Sequence, residues 1–457
     1  MTVVESNEPW LGQVPADWSR SRIRNVATLS PGYSGTPPTV DEFCTIVPME
    51  LLSDDGVMDV SNQQSVEEAQ SGLTLFEQGD VLFAKITPCM ENGKGAFVGK
   101  LPTRYAFGST EFHVLRPSRE VDGQFLYYAT FNPVFRAYAA ENMTGAAGQK
   151  RVSSRFLKDT RLFLPPLPEQ QRIAAYLDAS CAAIDAAVAA KRRQLETLDA
   201  LCKTIIQRSV TRGISARVPL ESTGNAWMEQ IPRGWKLVCL KRIAEIQGGL
   251  TLGKQYEGPL IERPYLRVGN VQDGHLDLDD VSVIELPASI AATVELRPDD
   301  VLMTEGGDLD KLGRGYLWKG EIPGCLHQNH IFAVRCFLHK LKPMFLTYVT
   351  AAKYGRDYFE ATGKKTTNLA CTNATKVGEF PIPLPPLTEQ EAICVHLDEK
   401  LCELKRIVTG IETQIATLTA YRKSLIHECV TGQRRVTEED LQRADPAGTI
   451  CPVEHRP

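Results

Sequence analysis

One fifteen-residue phrase occurs twice in this chain: LPPLPEQQRIAAYLD from Leu164 to Asp178, and LPPLTEQEAICVHLD from Leu384 to Asp398, 220 residues later. A repeat of this length constrains the fold more than composition does, because duplicated sequence must satisfy the same packing twice. The correspondence extends beyond the phrase. WLGQVPADWSRSRIRNVA at Trp10 matches WMEQIPRGWKLVCLKRIA at Trp227, GDVLF at Gly79 matches DDVLM at Asp299, and FLYY at Phe125 matches FLTY at Phe345. SVTRG before Gly213 matches CVTGQ around Gly432, and all offsets stay between 217 and 220. Each half therefore holds a variable globular region followed by a strongly patterned segment.

The patterned segments read as long amphipathic helices. In the first, Ile173, Leu177, Cys181, Ile184, Val188, Lys191, Leu195, Leu198, Cys202 and Ile205 step by fours and threes, the alternation of a helix that packs along one seam. Ile393, Leu397, Leu401, Leu404, Val408, Ile411, Ile415, Leu418, Arg422 and Leu425 keep that register in the second. Pro165, Pro166 and Pro168 stop a helix from starting earlier, and Thr388 with Glu391 has the pattern of a capping box. Glu169, Glu389 and Glu391 sit at the positive end of the helix dipole, and Arg208, Arg212 and His427 near its negative end. Gly213 and Gly432 are suited to left-handed stops. Each helix is expected to run for about 40 residues, roughly 60 Å. A stripe that long needs a partner, and the other copy, returning antiparallel, supplies one. An internal coiled coil is the expectation; helices packed only on their own domains are the alternative.

The globular regions read as short strands, turns and a few helices. DVLFAKIT, TEFHVLRP and HIFAVRCF have strand composition, while GQFLYYATFNPVFRAYAAEN and PMFLTYVTAAKYGRDYFEAT have helical periodicity. The predicted fold class is α/β (α+β): two domains with mainly antiparallel or mixed sheets, joined by two long antiparallel α-helices, with a pseudo-twofold internal repeat. The expected boundaries are a first domain over 1–163, a first long helix over 164–213, and a polar linker over 214–226. A second domain over 227–383, a second long helix over 384–432 and a weakly ordered polar tail over 433–457 follow.

Composition narrows the class. With 457 residues, 43% of them apolar and 23% charged, the chain has room for two or three globular domains. Neither a signal peptide nor an unbroken apolar run of transmembrane length is read, so no membrane is expected and a cytoplasmic location is. None of the 12 cysteines falls in C-x-x-C spacing, which favours reduced thiols over disulfides or zinc. His327 and His330 form an H-x-x-H without a third ligand at persuasive spacing, so no metal is expected. The net charge of -5 does not itself point to nucleic acid, but from Arg136 to Arg161 six basic residues (Arg136, Lys150, Arg151, Arg155, Lys158, Arg161) face two acidic ones, a local basic surface.

Catalytic patterns are scarce. GGLTLGKQ, from Gly248 to Gln255, resembles a phosphate loop, but Gln255 stands where a hydroxyl would meet magnesium. FNPVF, from Phe131 to Phe135, resembles the N-P-P-F signature of amino-methyltransferases, but Val134 replaces the second proline and no glycine-rich cofactor loop precedes it. No catalytic residue is assigned, and this chain is expected to bind no cofactor.

Polar loops suited to binding remain. KITPCMENGKGAF offers Lys85, Thr87, Asn92 and Lys94, and NMTGAAGQKRVSS offers Asn142, Thr144, Gln149, Lys150 and Arg151. The second half offers Lys311 and Arg314 in TEGGDLDKLGRG, and Lys364, Lys365, Thr366, Thr367 and Asn368 in TGKKTTN. Cations and close glycines suit phosphates, and amides suit base edges. The alternative for any one of them is a solvated loop.

The duplicated L-P-P-L-x-E-Q, each copy opening a long helix after a domain that starts with W…[VI]P…W, resembles the DNA specificity subunit of type I restriction-modification enzymes. DVLFAKITPCMENGKGAF and STEFHVLRP are similar to one type of target-recognition domain in that family. The resemblance implies a subunit without catalysis, whose two target-recognition domains each read half of a bipartite, asymmetric double-stranded DNA target. It implies a coiled coil that sets the spacer and docks two methyltransferase subunits, which use S-adenosylmethionine to methylate adenine. It also implies restriction/translocase subunits that use ATP and magnesium to cut unmethylated DNA. Pro168 departs from the polar residue found at Thr388, and Lys191 and Arg422 interrupt the seams, where long stems are expected to snorkel. An active DNA methyltransferase or nuclease, on the strength of FNPVF, and a protein-only scaffold, on the strength of the acidic pI, are the competing readings.

Overall fold

The structure is a computed structural model that describes residues 2–69, 72–146, 148–215, 217–272, 274–307, 312–365 and 370–445. Packing divides the chain into two compact units, one of residues 1–191 with 413–457 and one of residues 192–412.

In the first unit an antiparallel hairpin pairs Val3–Glu8 with Leu11–Pro15, and Ser19–Arg22 pairs with Arg161–Leu164. The central sheet orders Ala27–Leu29, Phe112–Pro117, Val81–Ala84 and Gly95–Phe97, all antiparallel. All four residues of Val81–Ala84 are buried, as expected of an interior strand covered on both faces. A second four-stranded sheet is mixed, with Ala106–Gly108 parallel to Phe43–Val47. The aspartate of the GDVLF motif does structural work: Asp80 receives Nε and Nη2 of Arg116, each at 2.8 Å.

The second unit repeats much of this plan within itself. A hairpin pairs Leu220–Asn225 with Met228–Pro232, and Lys236–Cys239 pairs with Pro381–Leu384. Its central sheet orders Ala244–Gly248, Ile331–Cys336, Val301–Thr304 and Gly315–Leu317. Asp300, the aspartate of DDVLM, receives Nε of Arg335 at 3.0 Å and Nη2 at 3.3 Å. The hairpin corrects the expected polar linker over 214–226, since Leu220–Asn225 is a strand.

The long helices span Leu167–Arg212, 46 residues, and Leu387–Val430, 44 residues, slightly longer than their periodicity indicated. Gly213 and Gly432 follow them with φ of +73° and +74°, the left-handed stop that glycine adopts without a Cβ penalty. In the first unit Ile173, Leu177, Cys181, Ile184 and Val188 share a core with Leu425, Ile426, Cys429 and Val430. Asp185 pairs with Arg422 at 3.1 Å, and Lys191 with Gln414; rising numbers on one segment meet falling numbers on the other, so the segments run antiparallel. In the second unit Val210, Ile205 and Ile206 join Ile393, Cys394, Leu397 and Leu401. Leu195, Leu198 and Val408 are half-buried, as are Ile415 and Leu418, and Leu404 and Ile411 are buried. By length and composition Leu167–Arg212 could cross a membrane, but its apolar face is committed to these cores.

Two further expectations change. Lys191 and Arg422 do not merely snorkel: besides those contacts, the Arg422 guanidinium lies 5.5 Å from the Phe131 ring. Nor are residues 433–445 loose. Val436 is buried, Glu438–Ala444 is a helix, and Arg435 pairs with Glu169 and Asp17, so this segment straps the end of the second long helix to the first unit.

Candidate nucleic-acid interface

The repeated phrase positions each globular region through two side chains. Gln170 Nε2 donates to Pro165 O at 2.9 Å and Glu120 O at 3.2 Å, while its Oε1 accepts from Asp122 N at 2.9 Å. Gln390 Nε2 likewise donates to Pro385 O and Lys340 O, both at 2.9 Å, and Oε1 accepts from Lys342 N at 2.8 Å. Eight residues on, Asp178 accepts from Tyr128 and Gln124, each at 2.7 Å, and Asp398 accepts from Tyr348. Helices Gly123–Phe131 and Pro343–Ala351 are thereby clamped to the long helix that follows each region. Sequence reasoning weighed the conspicuous glutamates of the phrase and missed these glutamines; their recurrence at both sites was the available signal.

On the first unit the structure brings the two candidate loops together. Thr87 N donates to Lys150 O at 3.0 Å, Val152 N donates to Lys85 O at 2.8 Å, and Arg151 bridges both Ile86 and Thr144 as a short strand. Asn92, Asn142, Thr144, Gln149 and Lys150 are exposed, and Lys85, Thr87, Lys94 and Arg151 are half-buried. Internal contacts already occupy several polar ends. Lys94 Nζ donates to Met49 O at 2.9 Å, and Asn142 Nδ2 donates to Tyr138 O at 2.8 Å. Arg151 grips Glu111 through Nε and Nη2, and that guanidinium holds the Glu111 carboxyl below its usual range. The mostly accessible face is thus made of amides and Lys150, with Lys85 at its edge.

Arg136 is a correction. Counted from sequence in a basic surface, it is buried, 5% exposed, and donates to Thr130 O at 2.8 Å and to Met90 O and Lys94 O, each at 3.2 Å. Its guanidinium stacks over Phe83 at 4.1 Å, and burial pushes its pKa down from the ordinary arginine value. A cation there satisfies carbonyls at both ends of the 90–94 turn and so fixes that loop from below.

The second unit carries the same junction. Gly306–Gly307 and Lys364–Lys365 flank Ala370–Cys371 in a three-stranded sheet. The pairs Gly306/Cys371 and Lys364/Cys371 stand 220 residues beyond the bridges Ile86/Arg151 and Thr144/Arg151. Thr372 N donates to Glu305 O at 2.7 Å, the counterpart of Val152 and Lys85. Lys364 is exposed and Arg314 half-buried. Lys365 continues the strand in its backbone, while Lys311, Thr366, Thr367 and Asn368 lie outside the described residues.

Other motifs resolve into architecture. Asn132 of FNPVF is fully buried and caps helix Pro133–Glu141, accepting from Val134 N at 3.0 Å, with Pro133 in the first turn. A Cβ on Gly249 of GGLTLGKQ would meet His327 O and Gln328 O, so glycine there permits a close backbone approach. His327 faces Ile331 O at 2.8 Å and His330 faces Glu305 at 2.9 Å, so the two imidazoles serve different partners. No group of three or more metal-ligating side chains occurs among the described residues.

A family profile described as the type I restriction modification DNA specificity domain matches residues 38–197. The EcoAI specificity subunit of Escherichia coli is 31% identical over 175 residues, 37% of this chain but only 29% of that protein's length. The StySPI specificity subunit of Salmonella potsdam is 22% identical over 94% of this chain and 93% of its own. Among solved structures, a chain from a study of assembly and conformational transition of the type I R-M system superposes with a TM-score of 0.71 at 20% identity, covering 92% of this chain and 99% of that one. The HsdS subunit from Thermoanaerobacter tengcongensis superposes with a TM-score of 0.52 at 18% identity, over 92% and 98% of the two chains. These likenesses concern the fold.

Proposed function

We propose that this chain is a DNA specificity subunit of the type I restriction-modification family, a DNA-reading scaffold with no chemistry of its own. Each globular domain reads one half of a bipartite, asymmetric duplex target. The two long helices set the spacer between the halves and dock two methyltransferase subunits that methylate adenine. S-adenosylmethionine, and the ATP and magnesium of restriction subunits, are used by those partners.

One observation carries the reading: the same backbone junction of two polar loops recurs 220 residues apart with unlike side chains. A constant frame with variable side chains is what two unlike half-sites require, since phosphate contacts fix register while base contacts carry sequence. Half-sites read on one face of a duplex lie about 34–36 Å apart, a helical turn. A helix of 46 residues is roughly 69 Å long, enough for a ruler of that span. The competing methyltransferase reading loses its motif, because Asn132 is buried as a helix cap.

The test is reconstitution with type I methyltransferase subunits, followed by mapping of methylated adenines. Exchange of residues 1–163 for another recognition domain should alter one half of the target only. If both halves change together, the division of labour is wrong. Methyl transfer by the isolated chain would support the enzyme reading instead. DNA binding should fall steeply, by roughly a thousandfold or more between 50 and 200 mM salt if six or more phosphates are contacted. Binding insensitive to salt would favour a scaffold for proteins alone.

A further inference from the structure

The two junctions share a frame and differ in charge. In the first, Lys85 N donates to Glu111 O at 2.9 Å; in the second, Glu305 N donates to His330 O, also at 2.9 Å. Arg151 and Cys371 occupy the paired middle strands. All these hydrogen bonds are made by backbone, so the frame imposes no requirement on the side chains it displays. Lys85, Glu111 and Arg151 sum to a formal +1, whereas Glu305, neutral His330 and Cys371 sum to −1. The side chains are partly accessible: 24% for Glu111, 43% for Arg151, 24% for Glu305 and 50% for His330.

Within the first set Arg151 is already committed to Glu111. The surplus charge rests on Lys85, whose ammonium gives one hydrogen to Thr110 O at 2.5 Å and has two further donors. In the second set Glu305 accepts from His330 Nδ1 at 2.9 Å and presents acceptor oxygens where the first domain presents donors. On a major-groove edge, lysine donors match guanine O6 and N7, and a carboxylate matches the exocyclic amine of cytosine.

Resting on the DNA-reading function proposed above, we infer that Lys85 and Glu305 are specificity-determining residues at equivalent positions, Lys85 selecting a guanine edge in one half-site and Glu305 a cytosine amine in the other. Their opposite hydrogen-bond character makes the target asymmetric at corresponding positions.

The test uses the full chain assembled with its methyltransferase subunits, acting on a plasmid library with randomised half-sites, with methylation read by sequencing. Glu305→Gln should lower discrimination roughly tenfold at one position of one half-site and leave the other half untouched. Lys85→Gln should do the same at one position of the opposite half-site. Because the frame is backbone-made, neither variant is expected to lose assembly, and should one fail to assemble, the other still decides. Unchanged preferences in both variants, change in both halves at once, or uniformly weaker methylation at every base would each overturn the inference. A wild-type complex with no sequence preference would overturn the DNA-reading function itself.

Discussion

Tyr128 donates its hydroxyl hydrogen to Asp178 at 2.7 Å, joining the helix that supports the first loop platform to the first long helix. Asp178 is half-buried, and desolvation raises its pKa above the ordinary carboxylate value against the opposing bonds from Tyr128 and Gln124. A carboxyl with a raised native pKa binds more protons folded than unfolded, so its contribution to stability declines as pH rises from about 4 through that native pKa. Tyr128→Phe removes a donor that only the carboxylate needs. Its cost should be about 1–2 kcal/mol at neutral pH and smaller at pH 4, seen as reduced hydrogen-exchange protection of Gly123–Phe131. An equal loss at both pH values would contradict this account.

Gln170 and Gln390 each satisfy two carbonyls and one N–H in buried surroundings. Replacing either by alanine should cost about 2 kcal/mol, because the partners stay buried and unpaired. Glutamate should be worse, since its carboxylate would face two carbonyl oxygens. Thermal melts of the single variants should show both effects, with Gln170→Ala destabilising the first unit and Gln390→Ala the second. A Gln390→Glu variant as stable as the native chain would refute the assigned contacts.

Arg136→Met should free the turn over residues 90–94 while leaving the rest of the first unit folded, since three carbonyls lose a buried donor. Limited proteolysis should reveal new cleavage in that turn, and the assembled complex should lose preference in one half-site only. Protection equal to the native chain would show that the loop is held by other contacts.

Removal of residues 433–457 should destabilise the first unit by several kcal/mol through loss of the buried Val436 and of the Arg435 pairs to Glu169 and Asp17. The second unit should keep its hydrogen-exchange protection. Loss of protection in both would require a different explanation.

Much of this architecture is legible in the sequence because it is written in periods and repeats. The spacing from Ile173 to Ile205 and from Ile393 to Leu425 identifies the helices and their buried faces, since a 3.6-residue period leaves few other ways to hide that stripe. The 220-residue offset likewise places equivalent strands and the two junctions. Tertiary structure decided the roles of individual polar groups. Whether Arg136 lies on a surface or under a loop, and whether Lys85 and Arg151 are available or engaged, depends on carbonyls and carboxylates distant in sequence. Hydrophobic pattern repeats along a chain and can be read locally, but a hydrogen bond selects its partner by position in space. That is why the sequence alone determined two domains and two helices, and only the fold decided which polar side chains are engaged within each domain and which stay accessible.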